Sequence, residues 1–369
     1  MRTLFLALGV CVVNFAQTTT AAAQRPAGLA RATRDSTIPI DTARARLLYV
    51  GIKPSELPQG NFAALAKAKL VTDSIYSARL KGVADFQKIT YKSSDGLEIP
   101  AYIFQPLTGR APKQRAAMVW IHGGVHGDWT ELMLPFVVEA VQRGYVIIAP
   151  DYRGSAGHGK ALYNAIDYGG REVDDIVAAG KYLAALPYVD PTRVGVMGWS
   201  HGAYISALSV MRESHPFRAA GAVVPVTNLV FRLGYKGPTY ALDFAAEPTI
   251  GGLPFEKQAE YIKRSPLYQV DALRVPLMVH FATNDTNVNF VEAEQLVNAL
   301  KVKKPDLAEV KVYDNPGGGD EGGGHTFSRR VDPKTLERND TPEQRDSWNR
   351  TWTFFEWNLR AMAAPKTPL

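Results

Sequence analysis

One serine of the chain stands between two glycines in the spacing G-x-S-x-G. Residues 198–202 are G-W-S-H-G; they directly follow an apolar run and open a helical stretch at Ala203. A sharp turn from a strand into a helix exposes a serine hydroxyl, and glycines flank it because side chains would clash there. The helix also directs free N–H groups at a negative charge forming beside the serine. The pattern predicts Ser200 as a nucleophile, although a glycine turn closing an ordinary strand–helix unit has the same letters.

A serine hydroxyl is a weak nucleophile that needs a general base, and an acid must orient that base. Asp285 comes directly after one apolar run, and His325 follows a glycine-rich segment after the next run. This order of serine, acid and histidine is the order used on parallel sheets, whose sites form where the strands end. We therefore predict a catalytic triad of Ser200, Asp285 and His325, with Asp314 and Asp320 as the alternative acids.

An oxyanion formed at the serine needs hydrogen-bond donors that are in place before the reaction. The residue after the nucleophile supplies one such donor, which predicts the backbone N–H of His201. Residues 122–124 are H-G-G and follow an apolar run, at the usual position of the second donor. An ordinary turn is the alternative interpretation of this segment.

Short apolar runs alternate with helical stretches through most of the chain. The apolar runs lie at residues 117–121, 145–149, 194–197, 219–224, 277–281 and 310–313. The helical stretches lie at residues 134–142, 173–186, 203–211, 291–301 and 341–359. Strands that are apolar on both faces and alternate with helices indicate a mostly parallel, doubly wound α/β sheet. An Asp-Gly turn at 95–96, between two alternating segments, predicts an antiparallel hairpin before that sheet.

The N-terminus predicts export. Arg2 precedes an apolar run of about 12 residues, and small residues then offer a cleavage site after Ala23. We expect residues 1–23 to be a signal peptide, 24–84 a tether with helical segments at 41–50 and 61–80, and 85–369 the catalytic domain. The predicted location is periplasmic or extracellular.

Composition excludes several classes of protein. The chain is 46% hydrophobic and 21% charged, which excludes disordered and collagen-like proteins. Its net charge of +6 comes without a basic cluster containing aromatic residues, so we expect no nucleic-acid partner. The N-terminal apolar run is too short to span a bilayer stably.

The cofactor and metal signals are also missing. Cys11, the single cysteine, falls inside the signal peptide, so we expect no disulfide, no thiol catalysis and no thiolate–metal site. The first strand is not followed by G-x-G-x-x-G and no P-loop occurs, so we expect no cofactor. Composition does not predict the oligomeric state.

Six segments together resemble the prolyl oligopeptidase family (S9) of serine peptidases. The segment at 151–159, D-Y-R-G-S-A-G-H-G, is similar to the family's N-Y-R-G-S-x-G-Y-G element. The other five segments are H-G-G at 122–124, P-Y-V-D-P at 187–191, G-W-S-H-G at 198–202, S-P-L at 265–267 and G-H-T-F at 324–327. All occur in the family's order, over more than seven-tenths of the chain. The resemblance implies the α/β-hydrolase fold and a serine peptidase activity.

The resemblance also implies roles for individual residues. Tyr152 corresponds to a tyrosine whose hydroxyl donates to the oxyanion. Asn287 is similar to an asparagine of the dipeptidyl-peptidase branch that binds a substrate carbonyl. Val226, Leu229 and Val288 correspond to residues that line a pocket for a small apolar or proline side chain, although apolar residues at these positions are equally typical of a core.

The chain departs from the family pattern at several places. Val125 replaces the proline after H-G-G, His201 and Ala203 replace a tyrosine and a glycine, and F-A stands at 281–282 instead of H-G. Only about 60 residues separate the predicted cleavage site from the hairpin. We therefore expect neither the family's β-propeller nor the propeller glutamates that hold a free peptide N-terminus.

The predicted function is that of a secreted serine hydrolase cleaving peptide bonds of short peptides through an acyl-enzyme. The first alternative is a carboxylesterase acting on small acyl or sugar esters. The second, from a different class, is a non-catalytic binding module that retains the hydrolase fold. The predicted partner of the chain is a small-molecule or short-peptide substrate.

Overall fold

Strands and helices alternate from the hairpin to the last helix. The structure is a computed structural model that describes residues 61–359, apart from 109–110, 112, 237–239, 242–243, 246 and 318–323. The described residues all belong to one unit, Leu47–Leu369. The predicted signal peptide, the tether and the predicted helical segment at 41–50 lie outside the described residues. Within the described part of the chain, no helix is both long and apolar enough to cross a membrane.

The described residues form one eight-stranded sheet. Its strands are β1 (Asp85–Lys92), β2 (Glu98–Gln105), β3 (Arg115–Ile121), β4 (Val146–Pro150), β5 (Val189–Trp199), β6 (Ala219–Val223), β7 (Leu277–Ala282) and β8 (Ala308–Tyr313). They lie in the order β1-β2-β4-β3-β5-β6-β7-β8. The pairs β1–β2 and β2–β4 are antiparallel and the other neighbours are parallel. This confirms the predicted mostly parallel sheet with an N-terminal antiparallel hairpin.

Helices cover both faces of the sheet, as buried parallel strands require. The described α-helices are α1 (Phe62–Arg79), α2 (Leu134–Gln142), α3 (Lys160–Tyr163), α4 (Arg171–Ala185), α5 (His201–Val210), α6 (Leu229–Tyr235), α7 (Gln258–Lys263), α8 (Pro266–Gln269), α9 (Phe290–Lys303) and α10 (Pro342–Leu359). Successive side chains of β3 point to opposite faces. Val119 packs in the core with α4, α5 and α9, whereas Trp120 packs with α2 and α10.

Three helices between β6 and β7 were not predicted from the sequence. Helices α6, α7 and α8 are only 7, 6 and 4 residues long. Such short helices show too few turns for an apolar period to stand out. The segment therefore gave no clear signal, although it lies beside the site described below.

Helix α1 packs onto the same core as the sheet. Tyr76 is fully buried against Phe86 and Phe104, and its hydroxyl donates to the carbonyl of Thr130 at 2.7 Å. Leu80, just after the helix, is also buried. The predicted domain boundary between residues 84 and 85 therefore separates two elements that pack together.

An ion pair fixes α1 to the loops that follow β3 and β4. Lys69 of α1 is 5% exposed, and its Nζ lies 2.5 Å from Oδ2 of Asp151, which is 2% exposed. The ammonium also donates to the carbonyl of Trp129 at 2.8 Å and lies over the ring of Tyr102. Asp151 in turn accepts the backbone N–H of Trp129 at 2.7 Å and contacts Nε2 of His158 at 2.8 Å.

The ion pair lowers the pKa of the Asp151 carboxylate. Burial by itself would raise the pKa of Asp151, but the charge of Lys69 and the hydrogen bond from His158 hold it well below the usual value. The folded state therefore keeps Asp151 ionised, and the stabilisation is lost only as the pH falls through this lowered pKa.

Lys69→Met is expected to destabilise the fold by about 3 kcal/mol, because it leaves the buried carboxylate of Asp151 without its cation. The free energy of unfolding, measured by urea titration at pH 7, checks this. Lys67→Met, at an exposed position of the same helix, is the matched control and is expected to change stability by less than about 0.5 kcal/mol. Equal effects of the two substitutions would contradict a buried ion pair.

Candidate active site

Ser200 occupies the sharp turn between β5 and α5. Its backbone has φ 55° and ψ −120°, a strained conformation for a residue with a side chain. Its N–H donates to the carbonyl of Val223 on β6 at 3.0 Å. A Cβ on Gly202 would lie 2.4 Å from the carbonyl oxygen of His122, and one on Gly198 would lie 2.5 Å from the backbone of Gly202. Both positions therefore require glycine, because neighbouring backbone lies too close for a side chain.

The three side chains of the predicted triad come together at the carboxyl edge of the sheet. His325 Nε2 lies 2.9 Å from Ser200 Oγ, and His325 Nδ1 lies 2.7 Å from Asp285 Oδ2. The other oxygen of Asp285 accepts the backbone N–H groups of Asn287 and Val288, each at 2.8 Å. Asp285 is therefore held in one orientation. Because Asp285 binds Nδ1–H, Nε2 is left free to accept the serine proton.

The two alternative acids are not part of this row, and neither is the nearby histidine of β7. Asp314 is exposed and accepts a hydrogen bond from Thr283, and Asp320 lies outside the described residues. His280 is fully buried on β7, where its Nδ1 contacts Ser347 of α10 at 2.9 Å.

The H-G-G turn runs directly beside the nucleophile. A Cβ on Gly123 would lie 3.3 Å from the Cβ of Ser200. Gly124 has φ 80°, in the left-handed region that favours glycine. The N–H of His201 is the first of α5 and has no acceptor within the helix. The backbone therefore approaches Ser200 from two directions, from the start of α5 and from the H-G-G turn.

Tyr152 lies against the H-G-G turn, beside the predicted site. Its side chain is fully buried and stacks on the ring of His122, with 4.4 Å between ring centroids. The hydroxyl donates to the carbonyl of Gly124 at 2.9 Å. A hydroxyl has a single proton, so in this arrangement Tyr152 holds the turn instead of donating to an oxyanion. The role of Tyr152 as an oxyanion donor during the reaction stays a prediction, which the Tyr152→Phe variant tests below.

The ring of His122 supports the same turn. Its Nδ1 lies 3.0 Å from the carbonyl oxygen of Gly123, and its Nε2 lies 2.8 Å from Oγ of Ser155. A carbonyl only accepts, so Nδ1 carries the proton and Nε2 accepts from the serine. Burial lowers the pKa of His122 to about 4, and the nearby carboxylate of Asp151 offsets only part of that effect.

The ring of His201 lies in a second buried polar pair. Its Nε2 is 3.5 Å from Oε1 of Glu172 on α4, and both side chains are almost fully buried. Glu172 also accepts the backbone N–H of Gly169. The sequence offered no signal for this pair, because the two residues are far apart in the chain.

The three apolar residues predicted to line a side-chain pocket are core residues in the structure. Val226, Leu229 and Val288 are 3%, 1% and 1% exposed, and they belong to the hydrophobic cluster on one face of the sheet. They present almost no surface to a ligand. Their burial favours the second interpretation of the sequence, that of a core.

Asn287 lies next to the triad and is held by three hydrogen bonds. Its N–H donates to Asp285, its carbonyl accepts from Nη1 of Arg232 at 2.9 Å, and its side-chain Oδ1 accepts from Nζ of Lys236 at 3.1 Å. Lysine only donates, so this contact fixes which way the amide group points. The NH₂ group of Asn287 then has no partner among the described residues.

Sequence reasoning missed the charged residues that hold this segment. Arg232 and Glu292 are buried and form an ion pair at 3.2 Å. Glu292 also accepts the backbone N–H groups of Thr227 and Asn228. Single charges on short helical stretches look like a solvated face, so nothing in the sequence distinguished these two. Across the described residues, no group of three or more His, Cys, Asp or Glu side chains is arranged to hold a metal ion.

Comparison with known proteins adds a family and several relatives. A sequence model described as "Prolyl oligopeptidase family" matches residues 133–331, just over half of the chain. The uncharacterized peptidase YuxL of Bacillus subtilis (strain 168) is 27% identical over 58% of this chain and 33% of its own length. The human acylamino-acid-releasing enzyme is 25% identical over 69% of this chain and 36% of its own length.

Solved structures show the same fold. The uncomplexed acylaminoacyl peptidase of Pyrococcus horikoshii superposes with a TM-score of 0.60 and 20% identity, covering 79% of this chain and 45% of that one. The chain spans about a third of the length of the curated relatives it matches.

His122 is expected to stay neutral down to about pH 5, because its pKa in the folded protein is about 4. An unfolded histidine binds a proton near pH 6.5, so stability decreases as the pH falls between these two values. ¹⁵N NMR of the ring nitrogens should show the Nδ1–H tautomer through this range. Protonation of His122 near pH 6.5 would contradict the buried arrangement.

Proposed function

Because the chain belongs to the prolyl oligopeptidase family, we propose that it is a serine hydrolase that cleaves amide bonds of short peptides through an acyl-enzyme. The observation that carries the proposal is the continuous row Ser200–His325–Asp285 on a strained turn, with contacts of 2.9 and 2.7 Å. Nucleophile, base and orienting acid are then within hydrogen-bond reach before substrate arrives.

In the first half of the reaction, Ser200 Oγ attacks the carbonyl carbon while His325 Nε2 takes its proton. The carbonyl oxygen gains the negative charge of the tetrahedral intermediate. We assign its stabilisation to the N–H of His201 and an N–H of the Gly123–Gly124 turn, both fixed in advance by the backbone. His325 then protonates the leaving amine, the C–N bond breaks and the acyl-enzyme remains.

In the second half, water replaces the amine. His325 takes a proton from water, hydroxide attacks the acyl carbon, and the proton is returned to Ser200 Oγ as the C–O bond breaks. Asp285 accepts Nδ1–H throughout, so it keeps His325 in the productive tautomer and stabilises its cation. The contacts of Asp285 with two backbone N–H groups keep that carboxylate from rotating away.

The substrate class rests on the relatives. The human relative is named as an enzyme that releases acylamino acids, and another, from Pseudoxanthomonas mexicana, is named a dipeptidyl aminopeptidase. Both names describe cleavage near the start of a peptide, which supports short peptides as substrates here. Export of the chain is likewise a proposal, supported by residues 1–23 of the sequence.

Ser200→Ala is expected to lower kcat by several orders of magnitude, because no other group supplies the nucleophile. The purified chain and this variant would be tested on p-nitroanilides of Ala-Pro and acetyl-Ala-Ala, and on p-nitrophenyl butyrate. Serine-dependent anilide cleavage supports the peptidase proposal. Serine-dependent cleavage of the ester alone would assign the site to a carboxylesterase. Absence of both, with no fluorophosphonate labelling of Ser200, would leave a non-catalytic binding module.

Tyr152→Phe separates the two roles considered for this tyrosine. A direct oxyanion donor costs about 10²- to 10³-fold in kcat when removed. Since the hydroxyl donates to Gly124 instead, we expect a decrease of less than about tenfold together with a measurable loss of stability. A decrease in kcat near a thousandfold, at unchanged stability, would restore Tyr152 as an oxyanion donor.

A further inference from the structure

Lys236 lies directly after α6, beside the triad, and has no role in the reaction described above. Its Nζ donates to Oδ1 of Asn287 at 3.1 Å, and its side chain is partly buried. Asn287 is two residues from Asp285, whose carboxylate binds His325. A cation is therefore held close to the triad through a neutral amide.

The charge of Lys236 has no counterion among the residues that the structure describes. Its neighbour Arg232 is neutralised by Glu292 at 3.2 Å. No described carboxylate is within ion-pair distance of Lys236, and Asp285 and Glu292 act on it only from farther away. Burial is the largest cause that lowers the pKa of Lys236, and the charge of Arg232 adds to it. The opposite charge of a bound anion would offset both effects, because it favours the charged form of the ammonium.

The ammonium also has unused hydrogen-bonding capacity. Lysine has three N–H donors, and the described residues accept one of them, through Asn287. The NH₂ group of the same Asn287 amide has no partner among the described residues and is a second donor next to the ammonium. Two neighbouring donors, one of them charged, are a suitable partner for the oxygens of a carboxylate.

A second cation lies within electrostatic reach of the same acid. The Nε atom of Arg329, four residues after His325, is buried without a hydrogen-bond partner among the described residues. Asp285 acts electrostatically on both Arg329 and Lys236. The carboxylate of Asp285 is already shared between His325 and two backbone N–H groups, and Glu292 is paired with Arg232. Among the residues that the structure describes around Asp285, the remaining charge is positive, which favours an anionic substrate.

We propose that Lys236 and Asn287 form an anionic subsite that binds a carboxylate on the acyl part of the substrate, within two residues of the cleaved bond. The preferred substrates would be peptides with an acidic side chain at one of these two positions. This inference rests on the proposed function, because it assigns substrate specificity to the same site and its kinetic test requires that the chain cleaves peptides.

The test compares isosteric substrates that differ only in charge. Acetyl-Glu-Ala and acetyl-Gln-Ala p-nitroanilides form one pair, and acetyl-Ala-Glu and acetyl-Ala-Gln p-nitroanilides form the other. The wild type should show a Glu/Gln ratio of kcat/KM of about ten in one pair, the effect of one charge-assisted hydrogen bond. In Lys236→Met the ratio should fall to about one, and added salt should lower it in the wild type.

Two further variants guard against a merely structural effect. Lys236→Arg keeps the charge and should retain the preference for Glu. Lys236→Glu should reverse it, so that a Lys-containing substrate is cleaved faster than the Gln-containing one. Lys301→Met removes an exposed lysine from α9 and is the matched control, with an unchanged Glu/Gln ratio. Ratios near one in both pairs for the wild type would overturn the proposal.

Binding to Ser200→Ala separates this inference from the proposed function. Calorimetry would measure the affinity of that variant for the uncleaved Glu and Gln peptides, with and without Lys236→Met. A preference for Glu that disappears with Lys236 supports the subsite even if no amide bond is cleaved. Equal affinities for Glu and Gln overturn it even if the chain is an active peptidase.

Discussion

The strained backbone at Ser200 is the constraint on which the site depends. A positive φ at a residue with a side chain costs about 1–3 kcal/mol, so the surroundings must enforce it. They do so by close packing: Gly198 and Gly202 allow the turn to touch itself and β3, and the N–H of Ser200 is held by β6. The rigid centre of the parallel sheet therefore supplies the precision that a flexible loop would lack.

Charge around this turn is handled in two ways. Away from the reacting atoms, buried charges are paired, as in Lys69–Asp151 and Arg232–Glu292. Such pairs bring little net stability, but losing one partner is costly, so they fix the positions of loops. Two other groups near the triad carry no charge or have no counterion among the described residues. His122 is kept uncharged by burial, and Lys236 faces the amide of Asn287.

Local patterns predicted most of the fold and the triad. Short apolar runs and the Asp-Gly turn gave the sheet and its hairpin, and chain order gave Ser200, Asp285 and His325. Hydrogen bonds and ion pairs between residues far apart in the chain could not be predicted. The proton of Tyr152 goes to a carbonyl 28 residues earlier in the chain, so the sequence could not reveal its direction. Lys69 belongs to a helix that carries a second lysine, the exposed Lys67, and nothing local distinguishes the buried one.

The burial of Lys69 has a consequence for how substrates reach the site. A helix that covers an active site as a gate must swing away at low cost on the time scale of turnover. Helix α1 would have to withdraw its ammonium from Asp151 and expose Tyr76, which is fully buried, so it acts as a fixed strap. A low-cost opening movement of α1 is therefore excluded, and a shortened chain that began at the hairpin would lack Lys69, the counterion of Asp151.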